Sequence, residues 1–245
     1  MFHVIIPARY AASRLPGKPL LSLGDKPVVQ WVWESACASG AASVIVATDD
    51  ERILAAARAF GADCSMTSPR HASGTDRIAE VVRARGMAAD DIVVNLQGDF
   101  PTIVPAQLRA VIDPLVDPLV DIGTLVVPII SDEEANTASF VKAACAFDYG
   151  QRIAPALYFS RTPIPWGDGP RWHHVGIYAY RREALIRYVA LPESPLERRE
   201  KLEQLRALEA GMRISCVRIE HGPFGVDTPE DLERARRLLD PRGAL

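Results

Sequence analysis

The sequence lacks the features that mark membrane, secreted or zinc proteins. Its 245 residues include four cysteines, none in a C-x-x-C pair, which argues against a zinc site or disulfide framework and favours reduced thiols. No apolar run approaches the roughly 18 residues of a membrane span. The net charge of −3 gives little basic surface for nucleic acid or anionic membranes. We therefore expect a soluble, cytoplasmic protein that binds neither nucleic acid nor membrane.

Two glycine-rich phosphate-binding motifs, G-x-x-x-x-G-K-[ST] and G-x-G-x-x-G, are also absent. In their place the apolar stretch Val4–Ile6 runs into a loop that carries three cations, Arg9, Arg14 and Lys18. Three prolines stiffen this loop, and Gly17 lets its backbone approach a ligand closely. Cations at the carboxyl end of a first parallel strand lie where open α/β sheets bind ligands. Their charge suits a polyphosphate, although a solvated basic turn is the alternative.

The chain alternates short apolar runs with helical patterns, and this predicts a mainly parallel sheet covered by helices on both faces. The predicted strands are Phe2–Ile6, Ser43–Ala47, Ile92–Leu96, Ile122–Pro128, Val141–Phe147, Val175–Tyr180 and Ile214–Ile219. The predicted helices are Pro27–Ser39, Glu51–Phe60, Thr75–Arg85, Val104–Leu115, Pro195–Ala210 and Pro229–Leu239. We expect one domain over residues 1–245. The alternation loosens after residue 130, so residues 130–212 form a candidate subregion or dimerisation arm.

Two carboxylates stand where this fold would place ligand-binding groups. Asp99 directly follows the central strand Ile92–Leu96 and a Gln-Gly pair, and Asp227 precedes the predicted cap Thr228 of the last helix. Two carboxylates beside a phosphate site can hold Mg²⁺, which takes few protein ligands. Helix capping is the structural alternative for Asp99.

Two further regions carry polar side chains in suggestive positions. The segment from Arg70 to Arg77 opens a helix with small, flexible residues, and a helix N-terminus offers free N–H groups. On the later strand, alternation places His174 and Tyr178 on one face, with Arg161 on a nearby aromatic loop. Such a face suits an acidic, hydroxylated ligand; a half-exposed strand is the alternative.

Nine motifs in order, spread from about residue 4 to residue 239, carry a family resemblance. They are Ile6–Tyr10, Arg14–Leu20, Ser73–Arg77, Asn95–Asp99, Ala156–Arg161, Gly176–Tyr178, Ser194–Glu197, Leu202–Arg206 and Gly225–Asp231. Together they resemble the 3-deoxy-manno-octulosonate cytidylyltransferases, or CMP-Kdo synthetases. The resemblance implies a nucleotidyltransferase (Rossmann-like) α/β fold, CTP and Kdo as substrates, Mg²⁺ as cofactor, a cytoplasmic homodimer and a role in lipopolysaccharide synthesis.

The resemblance also implies roles for individual residues. The nucleotide-binding residues would be Pro7, Ala8, Arg9, Ser13, Arg14, Lys18, Ser73, Gly74 and Arg77. The sugar acid would contact Gln97, Arg161, His174, Tyr178, Glu197 and Gln204, and the 130–212 subregion would serve sugar binding or dimerisation. Asp99 and Asp227 would hold the metal, and with Lys18 they would form the catalytic set. His174 is an optional general base in this scheme.

The chain departs from the family pattern in two places. The family often has Gly-Asp-Glu-Pro where this chain has Phe100 in place of the glutamate, and residues 136–155 and 166–172 match poorly. Three alternatives therefore stay open: a cytidylyltransferase for a related sugar acid such as 8-amino-Kdo or sialic acid, a sugar-1-phosphate nucleotidyltransferase, and a non-catalytic nucleotide-binding regulator. The sialic acid enzymes usually carry an Arg-Gly-Gly-Ser start, which the segment from Arg9 to Ser13 does not match.

Overall fold

The structure is a computed structural model that describes residues 1–11 and 15–239. Its strands are β1 Phe2–Ala8, β2 Ser22–Leu23, β3 Lys26–Pro27, β4 Ser43–Thr48, β5 Asp63–Met66, β6 Ile92–Asn95, β7 Ile122–Pro128, β8 Lys142–Cys145, β9 Ile153–Ser160, β10 Trp172–Arg181 and β11 Ile214–Arg218. Its helices are α1 Val28–Cys37, α2 Glu51–Ala59, α3 Gly74–Ala84, α4 Pro105–Ala110, α5 Asp132–Asn136, α6 Arg182–Val189, α7 Pro195–Glu200, α8 Gln204–Glu209 and α9 Pro229–Leu239. The chain forms two compact units: Met1–Leu108 with the segment from Pro223 onward, and Arg109–Gly222.

The first unit is built on a parallel sheet with the strand order β5-β4-β1-β6. Ile5 of β1 is in register with Ile45 of β4 on one side and with Asn95 of β6 on the other. Continuous apolar residues at these positions are buried, as is typical of parallel strands covered on both faces. All carboxyl ends of these strands meet at one edge, so the loops after β1 and β6 are brought together there.

The second unit contains a mixed sheet with the order β10-β7-β11-β9-β8, and β8 also pairs with β10. β7 and β11 are parallel, while β10 pairs antiparallel with β7, and β9 pairs antiparallel with β11 and with β8. The prediction of a mainly parallel sheet therefore describes the first unit well. The looser alternation after residue 130 corresponds to this mixed pairing, and the 130–212 subregion lies inside the second unit.

Several predicted elements have different bounds in the structure. The helix predicted over Val104–Leu115 is the shorter α4 followed by a 3-10 turn at Asp113–Val116, where Pro114 lacks the N–H that a continuing helix needs. The helix predicted over Pro195–Ala210 is two helices, because Lys201 adopts a left-handed conformation with φ 58° between them. The aromatic segment that was expected to be a loop before Arg161 is partly a strand, since Tyr158 and Phe159 belong to β9.

Candidate active site

A cavity of about 280 Å³ opens in the first unit at the carboxyl ends of β1 and β6. It is lined by Pro7, Ala8, Arg9, Ala11, Lys18, Pro19, Ala72, Ser73, Gly74, Gln97, Gly98 and Asp99. Six of the predicted nucleotide-binding residues are in this lining, together with the predicted sugar contact Gln97 and the predicted metal ligand Asp99. Ser13 and Arg14, which were also predicted to bind the nucleotide, lie outside the described residues.

The N-terminus of α3 forms one wall of this cavity. The Ser73 hydroxyl accepts a hydrogen bond from the Asp76 N–H at 3.1 Å, and the Asp76 carboxylate accepts one from the Ser73 N–H at 3.1 Å. A Cβ added to Gly74 would lie 3.3 Å from Cγ of Pro7, so only a residue without a side chain lets the helix end pack this closely on β1. The positive end of the α3 dipole makes this wall suitable for an anion.

Lys18 links the two carboxylates that the sequence predicted to hold a metal. Gly17, with φ 69°, ends the preceding loop by donating its N–H to the Tyr10 carbonyl, and the following turn directs the Lys18 side chain inward. Nζ of Lys18 donates to Oδ2 of Asp99 at 2.6 Å and to Oδ1 of Asp227 at 3.0 Å. Burial lowers the pKa of Lys18, but the two carboxylates outweigh this effect and raise it above its ordinary value.

The Asp99–Asp227 pair fits a magnesium ion. The ammonium group of Lys18 shows that a positive charge fits between the two carboxylates. Both carboxylate side chains remain partly exposed, Asp99 at 29% and Asp227 at 47%. Carboxylate oxygens are the ligands that Mg²⁺ prefers, and one or two of them suffice when phosphates and waters complete the shell. Among the residues described, no cluster of three or more His, Cys, Asp or Glu side chains offers a more complete metal site.

Arg9 is held at the rim of the cavity by the loop before α3. Its Nη2 donates to the His71 carbonyl at 2.9 Å, and its Nη1 to the Ala72 carbonyl at 3.4 Å. The loop is itself held by Glu80 of α3, whose carboxylate lies in hydrogen-bond contact with Nε2 of His71 and accepts a hydrogen bond from the Ser68 N–H at 3.0 Å. Arg9 therefore enters the cavity with its orientation fixed by backbone carbonyls.

Arg77, which the resemblance placed beside the nucleotide, is buried against other protein groups. Its side chain is fully buried, and its Nη2 donates to Oδ2 of Asp49 at 2.7 Å while its Nη1 donates to the hydroxyl of Thr67. These partners follow β4 and β5, so Arg77 joins α3 to the loops at the ends of those strands. It is not among the residues that line the cavity.

Arg161 of the second unit uses its guanidinium to bind backbone. It donates to the carbonyls of Glu200 at 2.7 Å, Ala138 at 3.1 Å and Lys201 at 3.2 Å. The first and third of these carbonyls belong to the end of α7, where the left-handed Lys201 stops the helix. Arg161 thus satisfies carbonyl groups that a helix C-terminus leaves without intrahelical partners.

His174 and Tyr178 share a face, as alternation predicted, but that face is buried. Their rings lie 5.3 Å apart, and His174 also packs edge-on against Phe159. Nε2 of His174 lies 3.0 Å from Oγ1 of Thr124. Burial, with a smaller contribution from neighbouring His173, lowers the pKa of His174 to about 3, and burial raises that of Tyr178. The alternative of a half-exposed strand is wrong, because this face packs into an aromatic cluster.

Glu197 and Gln204 are also buried in the second unit. Arg206 donates to Oε1 of Glu197 at 2.5 Å and to Oε2 at 2.8 Å, and the Ser194 N–H donates to the same carboxylate at 3.0 Å. Burial raises the pKa of Glu197, but Arg206 and the Ser194 N–H outweigh it and lower the pKa below its ordinary value. Nε2 of Gln204 has no hydrogen-bond partner among the described residues.

Some residues of the site were not predicted from the sequence. Ala11, Pro19, Ala72 and Gly98 line the cavity, and all four lie within or beside motifs that drew attention for their charged neighbours. These four residues have no charged or hydrogen-bonding side chain that would point to a binding role, and they contribute to the site by leaving room for a ligand beside the backbone. Position in the motif was the one signal available for finding them.

Comparison with known proteins shows that the chain belongs to the cytidylyltransferase family. A family model described as cytidylyltransferase matches residues 3–214. The chain is 54% identical over 237 residues to the 3-deoxy-manno-octulosonate cytidylyltransferase of Rhodopseudomonas palustris strain HaA2, with 96% of each chain covered. It is 49% identical over 237 residues to the protein of the same name from Paramagnetospirillum magneticum, again with 96% of each covered.

Solved structures give the same result for the fold. The structure of a CMP:2-keto-3-deoxy-manno-octonic acid synthetase complexed with CTP matches with a TM-score of 0.89 at 44% identity, covering 98% of this chain and 99% of that one. A nucleotidyl transferase from Methanothermobacter, at 18% identity and a TM-score of 0.60, covers 96% of both chains and shares the fold alone. The predicted nucleotidyltransferase fold and the predicted family are confirmed. Among the described residues, none of the helices has the length and apolar character that a bilayer crossing requires.

Proposed function

Because the chain belongs to the cytidylyltransferase family, we propose that it transfers CMP from CTP to the anomeric hydroxyl of Kdo and releases pyrophosphate. The observation that carries this proposal is that Asp99 and Asp227 both contact Lys18, which lines a cavity together with Arg9 and the start of α3. Relatives at about 50% identity bear the name of that activity, and the similar solved structure holds CTP. The cytoplasm and lipopolysaccharide synthesis are the setting that we infer for the reaction.

In the proposed reaction the attacking oxygen of the sugar forms a bond to the α-phosphorus, and the bond from that phosphorus to the bridging oxygen of pyrophosphate breaks. Positioning and charge neutralisation dominate such a transfer. Lys18 and Arg9, both in the cavity lining, would offset the charge that builds on the departing pyrophosphate. The N-terminus of α3, which carries the positive end of the helix dipole, would bind phosphate oxygens from the part of the cavity wall that it forms.

We further propose that Asp99 and Asp227 hold Mg²⁺. When bound, this ion would polarise the α-phosphate and favour ionisation of the attacking hydroxyl. The scheme needs no side-chain general base, and the burial and low pKa of His174 speak against that role for it. Gln97 keeps its proposed part in the sugar site because it lines the cavity, where its amide donates to Oδ1 of Asn95 at 3.1 Å. The sugar contacts predicted in the second unit remain proposals.

The test is pyrophosphate release from CTP with a panel of acceptors: Kdo, 8-amino-Kdo, sialic acid and a sugar 1-phosphate. We expect release with Kdo that stops when EDTA is added and resumes with excess Mg²⁺. Asp227→Asn is expected to lower kcat by about 100-fold, since it removes a charged ligand that acts on the transition state. Glu230→Gln, on the exposed start of α9, is the matched control. Release with another acceptor alone would reject Kdo, and full activity in EDTA would reject the metal.

We also infer that the protein is a homodimer through the outward face of β9. Exposure alternates along this strand, and the exposed positions Ile153, Pro155 and Leu157 are all apolar, with Leu157 68% exposed. An apolar stripe of this kind favours association with a second copy. Light scattering should give a dimer for the wild type and a monomer for Leu157→Glu. Leu119→Glu, at another exposed leucine, is the control and should stay dimeric.

A further inference from the structure

Asp227 is held opposite Asp99 by contacts between two chain segments that are far apart in sequence. The first segment, Asp99–Thr102, follows β6, and the second, Phe224–Asp227, precedes α9. The Val226 N–H donates to the Asp99 carbonyl at 2.9 Å. Val226 directly precedes Asp227, so this hydrogen bond joins the backbone beside one predicted metal ligand to the backbone of the other. The relative position of the two carboxylates therefore depends on how these segments are fastened.

Thr102 fastens them with its hydroxyl group. The Phe224 N–H donates to Oγ1 of Thr102 at 2.6 Å, and Oγ1 lies 3.3 Å from the Phe224 carbonyl, to which it donates. One side chain thus satisfies both backbone groups of a residue that is separated from it by 122 positions. A valine at position 102 would have nearly the same shape but would leave the Phe224 N–H and carbonyl without this partner.

Three other contacts hold the second segment, which ends at Asp227. Val226 is fully buried in a cluster with Leu23, Val28, Leu232 and Ala235. The ring of Phe100 covers Gly225 so closely that a Cβ there would lie 3.2 Å from a ring carbon. The Asp227 N–H donates to Oδ2 of Asp231 at 3.0 Å. Because these contacts hold the segment, we expect a shift of the backbone at Phe224 to displace Asp227 as well.

We propose that Thr102 is a positioning residue that sets the distance between Asp99 and Asp227 and thereby the affinity for a divalent cation. This inference rests on the proposed function, because it takes the two carboxylates as the metal site. Thr102 is not among the residues that line the cavity, so it acts through the segment that carries Asp227. Groups that orient metal ligands in this way typically change metal affinity by 10- to 100-fold when they are removed.

The test measures metal binding directly, without substrate turnover. Mn²⁺ is titrated into the full-length protein in the absence of nucleotide, and free Mn²⁺ is followed by electron paramagnetic resonance. Thr102→Val is expected to weaken Mn²⁺ binding by about tenfold or more, and Thr102→Ser, which keeps the hydroxyl, to restore it to within about twofold of wild type. Thr137→Val, which removes a hydroxyl that donates to the Glu133 carbonyl at 2.7 Å, is the matched control and should bind normally.

Gly225→Ala provides a second variant in case Thr102→Val does not fold. Its added Cβ would press on the Phe100 ring and displace the segment while leaving Thr102 intact, so it should also weaken Mn²⁺ binding. A lower melting temperature with unchanged Mn²⁺ affinity in Thr102→Val, or no metal binding in the wild type, would overturn the inference. If Thr102→Val loses Mn²⁺ affinity while the wild type transfers CMP to no sugar acid, the role of Thr102 is upheld and the proposed function is rejected.

Discussion

Replacing Lys18 with methionine should have opposite effects on metal binding and on catalysis. The substitution keeps a long unbranched side chain but removes the ammonium group that lies 2.6 Å from Asp99 and 3.0 Å from Asp227. Without nucleotide, that group competes with a divalent cation for the two carboxylates. With CTP bound, the same group is expected to stabilise charge on the phosphates.

The geometry sets the size of each effect. A hydrogen bond to a charged group contributes about 1.5–3 kcal/mol, but the carboxylate of Asp227 is 47% exposed, and exposed ion pairs contribute below about 1 kcal/mol. We take about 1–2 kcal/mol for the competition, so Lys18→Met should bind Mn²⁺ roughly 5- to 30-fold more tightly than wild type. The loss of one charged phosphate contact should lower kcat/KM for CTP by roughly 10- to 100-fold.

Two assays on the same samples check this prediction: Mn²⁺ titration without nucleotide and pyrophosphate release with CTP and Kdo. Lys18→Arg, which keeps the charge, is the control and should bind Mn²⁺ about as weakly as wild type. Because the pKa of Lys18 is raised, its charge is present below its ordinary value of 10.5 and is lost only at still higher pH, so both effects should persist from about pH 6 to 9. Unchanged Mn²⁺ affinity would show that Lys18 does not compete at a metal site, and unchanged turnover would remove it from the phosphates.

Three further predictions concern the second unit. Glu197→Gln should lower the free energy of unfolding by about 3 kcal/mol at pH 7, because it breaks a buried ion pair with Arg206. Since the pKa of Glu197 is lowered, this difference in stability should hold above pH 4.5 and fade below it. Urea unfolding that shows the same difference at pH 3 would contradict this. In NMR spectra the ring resonances of His174 should not titrate between about pH 8 and 5, because burial and neighbouring His173 lower its pKa to about 3. A titration midpoint near pH 6.5 would refute the buried environment of His174. Arg161→Lys should lower the melting temperature and affect the KM values for CTP and Kdo alike, since three carbonyls lose a forked donor. A rise in the KM for Kdo alone, at unchanged stability, would instead make Arg161 a sugar contact.

Local pattern was sufficient for much of the first unit. The apolar runs at β1, β4 and β6 predicted parallel strands, and the polar groups at their carboxyl ends predicted where the cavity lies. The cap of α9 was also readable, since the Asp231 N–H donates to Oγ1 of Thr228 at 3.2 Å. These features depend on residues close together in the chain or on rules that apply to every open parallel sheet.

The amino-acid sequence was therefore sufficient to predict the family, the α/β fold and the segments that supply the candidate site. Which polar side chains face the cavity and which lie in the core depends on contacts between distant parts of the chain. Lys18 meets Asp227 across 209 positions, and Thr102 meets Phe224 across 122, so no local pattern reveals either contact. Arg77 and His174 carry the same chemical signal in the sequence as residues of a binding site. Both are buried because their partners arrive from other strands and loops, and burial depends on the whole packing of each unit rather than on local periodicity.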